Sequence, residues 1–335
     1  MMSFLELTNL GKTYDTEQGP AVIVKDFNLR LSEGEFVCIV GHSGCGKSTV
    51  LSIAMGLNHA TEGGVIVAGR EVIGPGLDRG VVFQSPALLP WLTARENVLL
   101  ALEQVNDRST RKQRNALATK FLVSVGLRDV ADCYPEQLSA GMRQRVGIAR
   151  AFALEPKVLL LDEPFSLLDV VTRMELQDQL IQLCGETHKT VLMVTHDVDE
   201  ALLLADRVVL MTNGPAATVG EIVTVPFERP RDRLKIIDDP NYHEARKQLL
   251  GFLEDRATRS GMLTAIQARD AATAKRMVTP EELFVIEKFT GFNRFRRKYR
   301  KPRAMSDFVD NLREVPPRPF DRAQVMLSSP AKRWR

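Results

Sequence analysis

The stretch "GHSGCGKST", residues 41–49, separates the apolar run "FVCIV" from the helix-forming run "VLSIAMGL". Its glycines let backbone N–H groups turn inward around an anion, and a helix that begins near Lys47 points its positive end at the same place. The spacing Gly41-x4-Gly46-Lys47-Ser48 is the P-loop pattern, and a strand before it and a helix after it are the context that the pattern requires. The sequence therefore predicts a phosphate-binding loop, with an ordinary glycine-rich turn as the alternative.

The residues of this loop have distinct expected roles. Lys47 supplies a cation for the β- and γ-phosphates of a nucleotide, and the Ser48 hydroxyl is a candidate ligand of Mg2+. The candidate nucleotide contacts are all nine residues of the loop: Gly41, His42, Ser43, Gly44, Cys45, Gly46, Lys47, Ser48 and Thr49.

The composition is that of a globular protein with an uneven distribution of charge. The 335 residues are 44% hydrophobic and 26% charged, which allows a sizeable core. We expect no secretory signal, no membrane-spanning helix and no disulfide framework, because the sequence has no basic start before an apolar run, no apolar run of ~20 residues, and only widely spaced cysteines. Residues 256–335 carry 19 Lys and Arg against 8 Asp and Glu, whereas residues 1–255 carry the other 26 and 34. The two parts are therefore expected to do different jobs.

Short apolar strands alternate with helical stretches along most of the chain. The runs "FVCIV", "GVVF", "KVLLLD" and "TVLMVT" are typical of buried strands, and stretches with helical spacing follow them. This alternation predicts an α/β fold with a mainly parallel sheet. The charged, proline-bearing stretch "ERPRDR", residues 228–233, predicts an exit from the core.

Three of these strands end in polar residues. "VLLLD" ends at Asp162 with Glu163 next, "GVVF" is followed by Gln84, and "TVLMVT" by His196. If the strands are parallel neighbours, the four side chains converge at the carboxyl edge of the sheet, where ligands bind in such folds. Asp162 would then hold Mg2+, Glu163 would polarise the attacking water, Gln84 would sense metal and water, and His196 would contact the γ-phosphate. Each residue alone is as easily a solvated strand end.

A second candidate anion site lies in "YPEQLSAGMRQRVGIARA", residues 134–151. Ser139 and Gly141 stand there at the start of a predicted helix, whose N-terminus favours negative charge. Alone, the segment would be interpreted as an ordinary capped helix. Together with "GHSGCGKST", "VLLLDEP" and "VTHD", it resembles the signature segment of the ABC ATPase family, usually written LSGGQ. The resemblance covers about residues 4–225, with the family's motifs in order.

The resemblance implies further nucleotide contacts and a shared site. In that family two ATPase domains pair head to tail, and each ATP lies between the P-loop of one and the signature of the other. The matching positions outside the loop are Tyr14 for stacking on adenine, Ser139, Ala140 and Gly141 in the signature, and Asp169 of "SLLD" at the dimer interface. The metal, base and switch positions match Asp162, Glu163 and His196, and Gln84 matches the glutamine loop.

Two signature positions depart from the family pattern. Ala140 and Met142 stand where the family usually has Gly and Gln. Ala140 adds a methyl group where the backbone approaches phosphate, and it is compatible with that role if its φ is negative.

The resemblance also implies a domain organisation. It predicts a P-loop NTPase core over residues 4–230, with an N-terminal antiparallel β subdomain and an inserted helical subdomain at about 91–137. Beyond the range of the resemblance, the pattern of the residues themselves predicts a closing helical segment over 231–255 and a basic extension over 256–335, which matches nothing in the family pattern. The run "FNRFRRKYRKPR" in that extension has the composition of a contact with nucleic acid or anionic lipid, but a solvated extension is the favoured interpretation. A helix is expected from Thr279.

The partners and the solute are also implied by similarity alone. A single ATPase module of this kind drives integral-membrane permease subunits from the cytoplasmic face of the membrane, as a homodimer or as a heterodimer with a second ATPase subunit. Its motifs look most like importers of small oxyanions (nitrate, sulfonate, taurine, cyanate, bicarbonate), with the nitrate branch nearest, and these use a separate solute-binding protein. Residues 88–92 are either a buried hinge or part of the permease groove.

Other P-loop classes fit the sequence less well. A soluble ABC ATPase that acts on nucleic acid or ribosomes is the alternative. Translation-type members carry two ATPase modules, and chromosome-type members separate the P-loop from "DE" by a long coiled coil; this chain has neither feature. Nucleic acid is therefore not expected as a partner. A P-loop kinase would lack the signature segment.

Overall fold

The computed structural model describes residues 3–17, 19–105, 109–229 and 231–260. The strands in these ranges are β1 (Leu5–Thr16), β2 (Gly19–Leu31), β3 (Phe36–Val40), β4 (Glu62–Val67), β5 (Arg70–Glu71), β6 (Arg79–Val82), β7 (Val158–Asp162), β8 (Thr190–Thr195), β9 (Arg207–Met211) and β10 (Val219–Thr224). The α-helices are α1 (Lys47–Ala54), α2 (Ala94–Val105), α3 (Arg111–Ser124), α4 (Ala140–Ala153), α5 (Val170–Thr187), α6 (Val198–Leu204), α7 (Arg233–Ile237) and α8 (Pro240–Ser260).

The central sheet is the parallel sheet that the strand pattern predicts. Its strand order is β10-β9-β3-β8-β7-β6, and every pair is parallel except β9 with β10 at one edge. The inner strands β3 and β8 are buried along their whole length, as expected when both faces of a parallel sheet are covered.

The side chains of β3 show how the two faces are divided. Phe36, Cys38 and Val40 belong to one buried cluster, which includes α4, α5 and α6. Val37 and Ile39 belong to a second cluster, which includes α1 and the other sheet. Because successive side chains of a strand point to opposite faces, one five-residue strand anchors both cores.

The second sheet is antiparallel, with strand order β2-β1-β4-β5. The register of β1 shifts against β4 between Thr8 and Gly11, and Asn9 has a positive φ of 47° in this irregular stretch. Gly63 on β4 lies so close to it that a Cβ atom would stand 2.2 Å from the Thr8 carbonyl oxygen. The irregular stretch of β1 between Thr8 and Gly11, which precedes Tyr14, therefore depends on a glycine at position 63.

The stretch between β6 and β7 is mostly helical. Helix α3 begins with a capping box in which Thr110 and Gln113 exchange side chain–backbone hydrogen bonds. The buried Asn97 of α2 donates to the Leu89 and Leu92 carbonyls. Leu89 and Leu92 are themselves buried, which favours the hinge interpretation for these two leucines; Pro90 is exposed.

The chain does not leave the core where the stretch at 228–233 suggests. Arg231 is buried, and its guanidinium group donates to the carbonyls of Leu203, Leu204 and Phe227. The prediction is wrong there because these carbonyls and the Asp206 carboxylate satisfy the buried cation.

The closing segment contains two helices. Helix α7 is short, and α8 continues to Ser260, beyond the predicted limit of 255. The rest of the basic extension, from residue 261 on, lies outside the described residues together with the helix expected from Thr279. Within the described ranges, no helix is both long enough and apolar enough to cross a bilayer.

The close approach at Gly63 can be tested by substitution. Gly63→Ala should lower the free energy of unfolding by about 1–3 kcal/mol more than Gly69→Ala, measured by urea denaturation. Gly69 has a similar φ of 76° against 69° at Gly63, but a Cβ at Gly69 would meet no atom within 4 Å. The pair therefore separates the backbone clash from the cost of a positive φ, and equal losses for both variants would contradict the prediction.

Candidate functional site

The carboxyl edge of the central sheet gathers the polar residues that follow its strands. Asp162 is the last residue of β7 and pairs with Val194 of β8, and β6 pairs with β7 on the other side. The loop 41–49 follows β3, which pairs with β8. The structure therefore brings the phosphate loop and the polar strand ends to one place.

The loop 41–49 has the backbone conformation that its glycines allow. Gly44 and Gly46 have positive φ values of 80° and 105°. A Cβ at Gly46 would stand 3.1 Å from methyl groups of Ile23 and Val24 on β2, and one at Gly41 would stand 3.0 Å from the Cys45 sulfur. Glycine is thus required both by conformation and by close packing.

The polar groups of the loop are differently exposed. Ser43, Gly44 and Ser48 are exposed, whereas Cys45 and Lys47 are buried. The Thr49 carbonyl accepts a hydrogen bond from Ser52 within α1. Burial raises the pKa of the Cys45 thiol, so the thiol is protonated at neutral pH.

Lys47 is held by the loop itself. Its Nζ donates to the Gly41 carbonyl at 2.7 Å and to the His42 carbonyl at 2.8 Å. Next to it, the Ser48 hydroxyl donates to Oδ1 of Asp162 at 3.1 Å. The loop is therefore tied to the end of β7 by a hydroxyl–carboxylate pair.

The Glu163 carboxylate lies between two other polar strand ends. Its Oε2 accepts a hydrogen bond from Gln84 Nε2 at 3.2 Å and lies 3.4 Å from His196 Nδ1. The backbone at Glu163 has a positive φ of 43°, and its N–H donates to the Val194 carbonyl at 2.9 Å. A non-glycine residue in this strained conformation is often found at functional sites.

The Glu163 carboxylate changes the pKa of the His196 imidazole. The hydrogen bond with Glu163 raises the pKa of His196 above its ordinary value, against the opposing effect of burial. Because the pKa is raised in the folded protein, the pair stabilises the fold fully below pH ~6.5 and loses its effect as the pH rises through the raised pKa.

Tyr14 lies on the antiparallel sheet, where it pairs with Ala21 of β2. Its hydroxyl accepts a hydrogen bond from Asn58 Nδ2 at 2.6 Å, and the Lys12 ammonium lies 4.7 Å from its ring centroid. The strand β2 continues from Ala21 to Ile23 and Val24, which pack against Gly46 of the loop. The ring is thus oriented by polar contacts that the sequence pattern did not reveal.

The predicted signature segment forms the start of α4. Ser139 is the N-cap, and its hydroxyl accepts from the Met142 N–H at 3.2 Å. Ala140 is the first residue of the helix and is absent from the residues with positive φ, so its methyl group is accommodated. A Cβ at Gly141 would stand 2.3 Å from Cγ2 of Thr172 on α5, so a larger residue here would displace the Thr172 side chain.

Asp169 lies near the contact between Gly141 and Thr172, three residues before Thr172 in the chain. It is the N-cap of α5, and its carboxylate accepts from the Thr172 N–H at 3.0 Å, which lowers the pKa of Asp169. The structure therefore places Asp169 beside the signature segment of the same chain, and the hydrogen bonds described for Ser139 stay within α4.

Sequence reasoning missed the contacts that join α4 to the loop after β6. The buried Gln144 donates to the Phe83 carbonyl at 3.0 Å, and Arg150 donates to the carbonyls of Pro86 and Ala87. Burial lowers the pKa of Arg150 to about 10, so the guanidinium stays charged at neutral pH. Ser166 was also missed, although it accepts a hydrogen bond from Gln84 at 3.1 Å; its place within "DEPFSLLD" was the available signal.

The arrangement suits the transfer of a charged group to water. A buried lysine on a glycine-rich loop can hold an anion, and a carboxylate between an amide and an imidazole can orient a water molecule. Both functions meet at one edge of the sheet.

The pKa of His196 provides a test of this geometry. Glu163→Gln should lower the pKa of His196 towards its ordinary value, because the anionic partner is replaced by a neutral amide. The measurement is an NMR titration of the imidazole in the absence of nucleotide and added divalent cation. Asp178→Asn on α5 should leave the titration unchanged, and an unchanged pKa in Glu163→Gln would contradict the assigned contact.

Comparisons with known proteins agree with these motifs. The family model described as ABC transporter matches residues 24–166. The chain is 52% identical over 254 residues to the bicarbonate transport ATP-binding protein CmpD of Synechocystis sp., covering 76% of this chain and 90% of that protein. It is 49% identical over 250 residues to the nitrate import ATP-binding protein NrtD of Synechococcus elongatus, covering 75% and 91%.

A solved structure extends the likeness to the fold. The dimeric ATP-binding cassette MJ0796 bound to ADP and Pi is 34% identical, with a TM-score of 0.61, and the match covers 67% of this chain and all of that one. The α/β fold with its P-loop thus has the architecture of an ATP-binding cassette. Because its relatives are matched at about half identity over nine tenths of their length, this chain belongs to the ABC transporter family and is an ATPase.

Proposed function

We propose that this chain is the ATP-hydrolysing subunit of an importer of a small oxyanion. The observation that carries the proposal is its identity of 52% and 49% to ATP-binding proteins of bicarbonate and nitrate transport, over nine tenths of their length. Both solutes are small planar oxyanions. Nitrate and bicarbonate are therefore the first candidates, with sulfonate, taurine and cyanate as further members of the predicted class.

The proposed assembly contains more than this chain. Two ATPase subunits pair head to tail at the cytoplasmic face of the cell membrane, and each ATP lies between the loop 41–49 of one and the segment 139–141 of the other. They act on integral-membrane permease subunits that receive solute from a separate binding protein. The dimeric state of the MJ0796 cassette supports this arrangement. The second ATPase subunit is either another copy of this chain or a related one.

ATP binding would exchange the partners of the loop residues. Lys47 would leave the carbonyls of Gly41 and His42, each less than 3 Å away, and pair with the β- and γ-phosphates. The loop N–H groups would take phosphate oxygens, and the Tyr14 ring would stack on the adenine. Since the ammonium already has two carbonyl partners, a buried cation is never left unpaired.

Hydrolysis would depend on the group around Glu163. Its carboxylate would accept a hydrogen bond from a water molecule and take its proton as the water oxygen bonds to the γ-phosphorus. The bond from that phosphorus to the β,γ-bridging oxygen breaks, which yields ADP and phosphate. His196, 3.4 Å from Glu163, would donate to the γ-phosphate, and Gln84 would hold the carboxylate in line with the water.

The residues at the edge of β7 fit a magnesium ion. The Ser48 hydroxyl and the Asp162 carboxylate lie 3.1 Å apart, and the Gln84 amide offers a third oxygen. Mg2+ prefers oxygen ligands and uses one or two carboxylates together with substrate phosphates. Among the described residues, no group of three or more His, Cys, Asp or Glu is placed to hold a metal ion. When bound, the ion would neutralise charge that develops on the phosphates.

The state of the γ-phosphate would reach the permease through Gln84. This residue contacts Glu163 directly, and the loop that follows it is bonded to α4 through Gln144 and Arg150. A change at Glu163 would therefore move the helical part of the chain, including its exposed face near Pro90, as one body.

Replacing the proposed base should separate binding from turnover. Glu163→Gln should lower the ATPase rate at least about a hundredfold, because an amide cannot take the proton of water. ATP should still bind and should hold the subunits as a dimer in size-exclusion chromatography. Glu175→Gln, an exposed carboxylate paired with Arg145, should hydrolyse ATP like the wild type. Wild-type turnover by Glu163→Gln would contradict the base assignment.

The solute class can be tested with the complete system. The chain is reconstituted in proteoliposomes with its permease and binding protein, and ATPase activity is measured with nitrate, bicarbonate, taurine or no solute. We expect an oxyanion to stimulate hydrolysis and to accumulate inside. Stimulation by RNA or DNA, with no response to any of these solutes, would favour the soluble nucleic-acid ATPase instead.

A further inference from the structure

Helix α8 holds the short helix that follows His196. The Arg246 guanidinium makes two hydrogen bonds to the Asp199 carboxylate, at 2.6 Å from Nε and 3.2 Å from Nη2. The Tyr242 hydroxyl donates to Oδ1 of the same carboxylate at 2.7 Å. Burial alone would raise the pKa of Asp199, and these hydrogen bonds outweigh it, so its pKa lies below the ordinary value. Asp199 is therefore a fixed anion at neutral pH.

Asp199 lies three residues after His196 in the chain. It is in the first turn of α6, whose N-cap Asp197 accepts hydrogen bonds from the N–H groups of Asp199 and Glu200. His196 immediately precedes this cap. Because His196 adjoins the cap, and the cap is hydrogen-bonded to the first turn, a displacement of Asp199 would also move His196.

Near its carboxyl-terminal end, helix α8 also contacts the phosphate loop. The Leu253 carbonyl of α8 accepts a hydrogen bond from His42 Nε2 at 2.8 Å, which requires the proton on Nε2. Leu253 is eleven residues beyond Tyr242, so the two contacts lie on one face of the helix and about 16 Å apart along its axis.

Apolar packing fixes α8 between these two contacts. Tyr242, Ala245 and Leu249 are buried in the same core cluster as residues of α6. The Phe252 ring lies directly over Gly220 of β10, where a Cβ atom would stand 2.4 Å from its Cζ. The helix is therefore seated on α6 and on the edge of the central sheet.

We infer that α8 sets the spacing between the phosphate loop and His196. Arg246 and Tyr242 are positioning residues that act on His196 through Asp199, and the carboxyl-terminal part of α8 positions His42 of the loop. The inference rests on the proposed ATPase site, because it gives these contacts a role in the same reaction.

The two ends of the helix should have different kinetic effects. The full-length chain, assembled with its permease, is assayed for kcat and for the KM of ATP. Arg246→Ala and Tyr242→Phe should lower kcat about tenfold and about threefold, with KM within about twofold of wild type, because His196 acts on the γ-phosphate in the transition state. His42→Ala should instead raise the KM about threefold or more, because it loosens the loop that binds ATP.

Four further variants test whether the effect on His196 passes through Asp199. Asp199→Asn should lower kcat like Arg246→Ala, and the double variant should be no worse than either alone, since both remove one pair. His42→Gln, whose amide can donate to the same carbonyl, should restore most of the loss in His42→Ala. Lys247→Ala, on the exposed side of α8, should behave like the wild type.

A readout without activity keeps the test independent of the proposed function. In the nucleotide-free protein, the NMR signals of the His196 imidazole should shift in Tyr242→Phe and Arg246→Ala but not in Lys247→Ala. Wild-type kcat together with unchanged His196 signals in Tyr242→Phe, the mildest variant, would overturn the inference. Equal changes of kcat and KM in every variant, tracking lower thermal stability, would also overturn it. Failure of the proposed function would appear differently, as a wild-type assembly that hydrolyses no ATP.

Discussion

The parallel pairing of β3, β8, β7 and β6 is the constraint on which the candidate site depends. It brings Lys47, His196, Glu163 and Gln84 to the same edge although they are far apart in sequence. In the observed register Asp162 lies opposite Val194 of β8, and Val82, two residues before Gln84, lies opposite Leu161. A shift of one residue in β7 would exchange the two faces of that strand and move Glu163 away from Gln84 and His196.

Both charged groups at the centre of this site already have partners. Lys47 is bonded to two carbonyls, and Glu163 to an amide and an imidazole. Incoming phosphate and water would therefore replace existing hydrogen bonds instead of meeting bare charges. Because the scaffold bears the strain of a positive φ at Glu163, its carboxylate is held in place before the nucleotide arrives, as electrostatic preorganisation requires.

The residues of the candidate site can be predicted from the sequence, whereas the long-range contacts that hold them in place cannot. The P-loop glycines, Asp162, Glu163 and His196 all follow apolar runs, so the sheet edge and the family could be predicted from local patterns. No pattern relates His42 to the Leu253 carbonyl, 211 residues away, since a backbone carbonyl has no signature in sequence. The burial of Arg231 has no sequence pattern for the same reason, because it depends on carbonyls contributed by α6.

The contacts around Gln84 join the loop after β6 to α4 on one side and to the segment after β7 on the other. Gln144 and Arg150 fasten the loop after β6 to α4 with several hydrogen bonds, and Arg150 stays charged at neutral pH despite a pKa lowered to about 10. To separate α4 from this loop would leave a partly buried guanidinium without partners, which is costly. Gln84 in turn reaches the segment after β7 through hydrogen bonds to Glu163, at 3.2 Å, and to Ser166, at 3.1 Å. Because the loop is bonded both to this segment and to α4, a change at the γ-phosphate would displace the loop and α4 together.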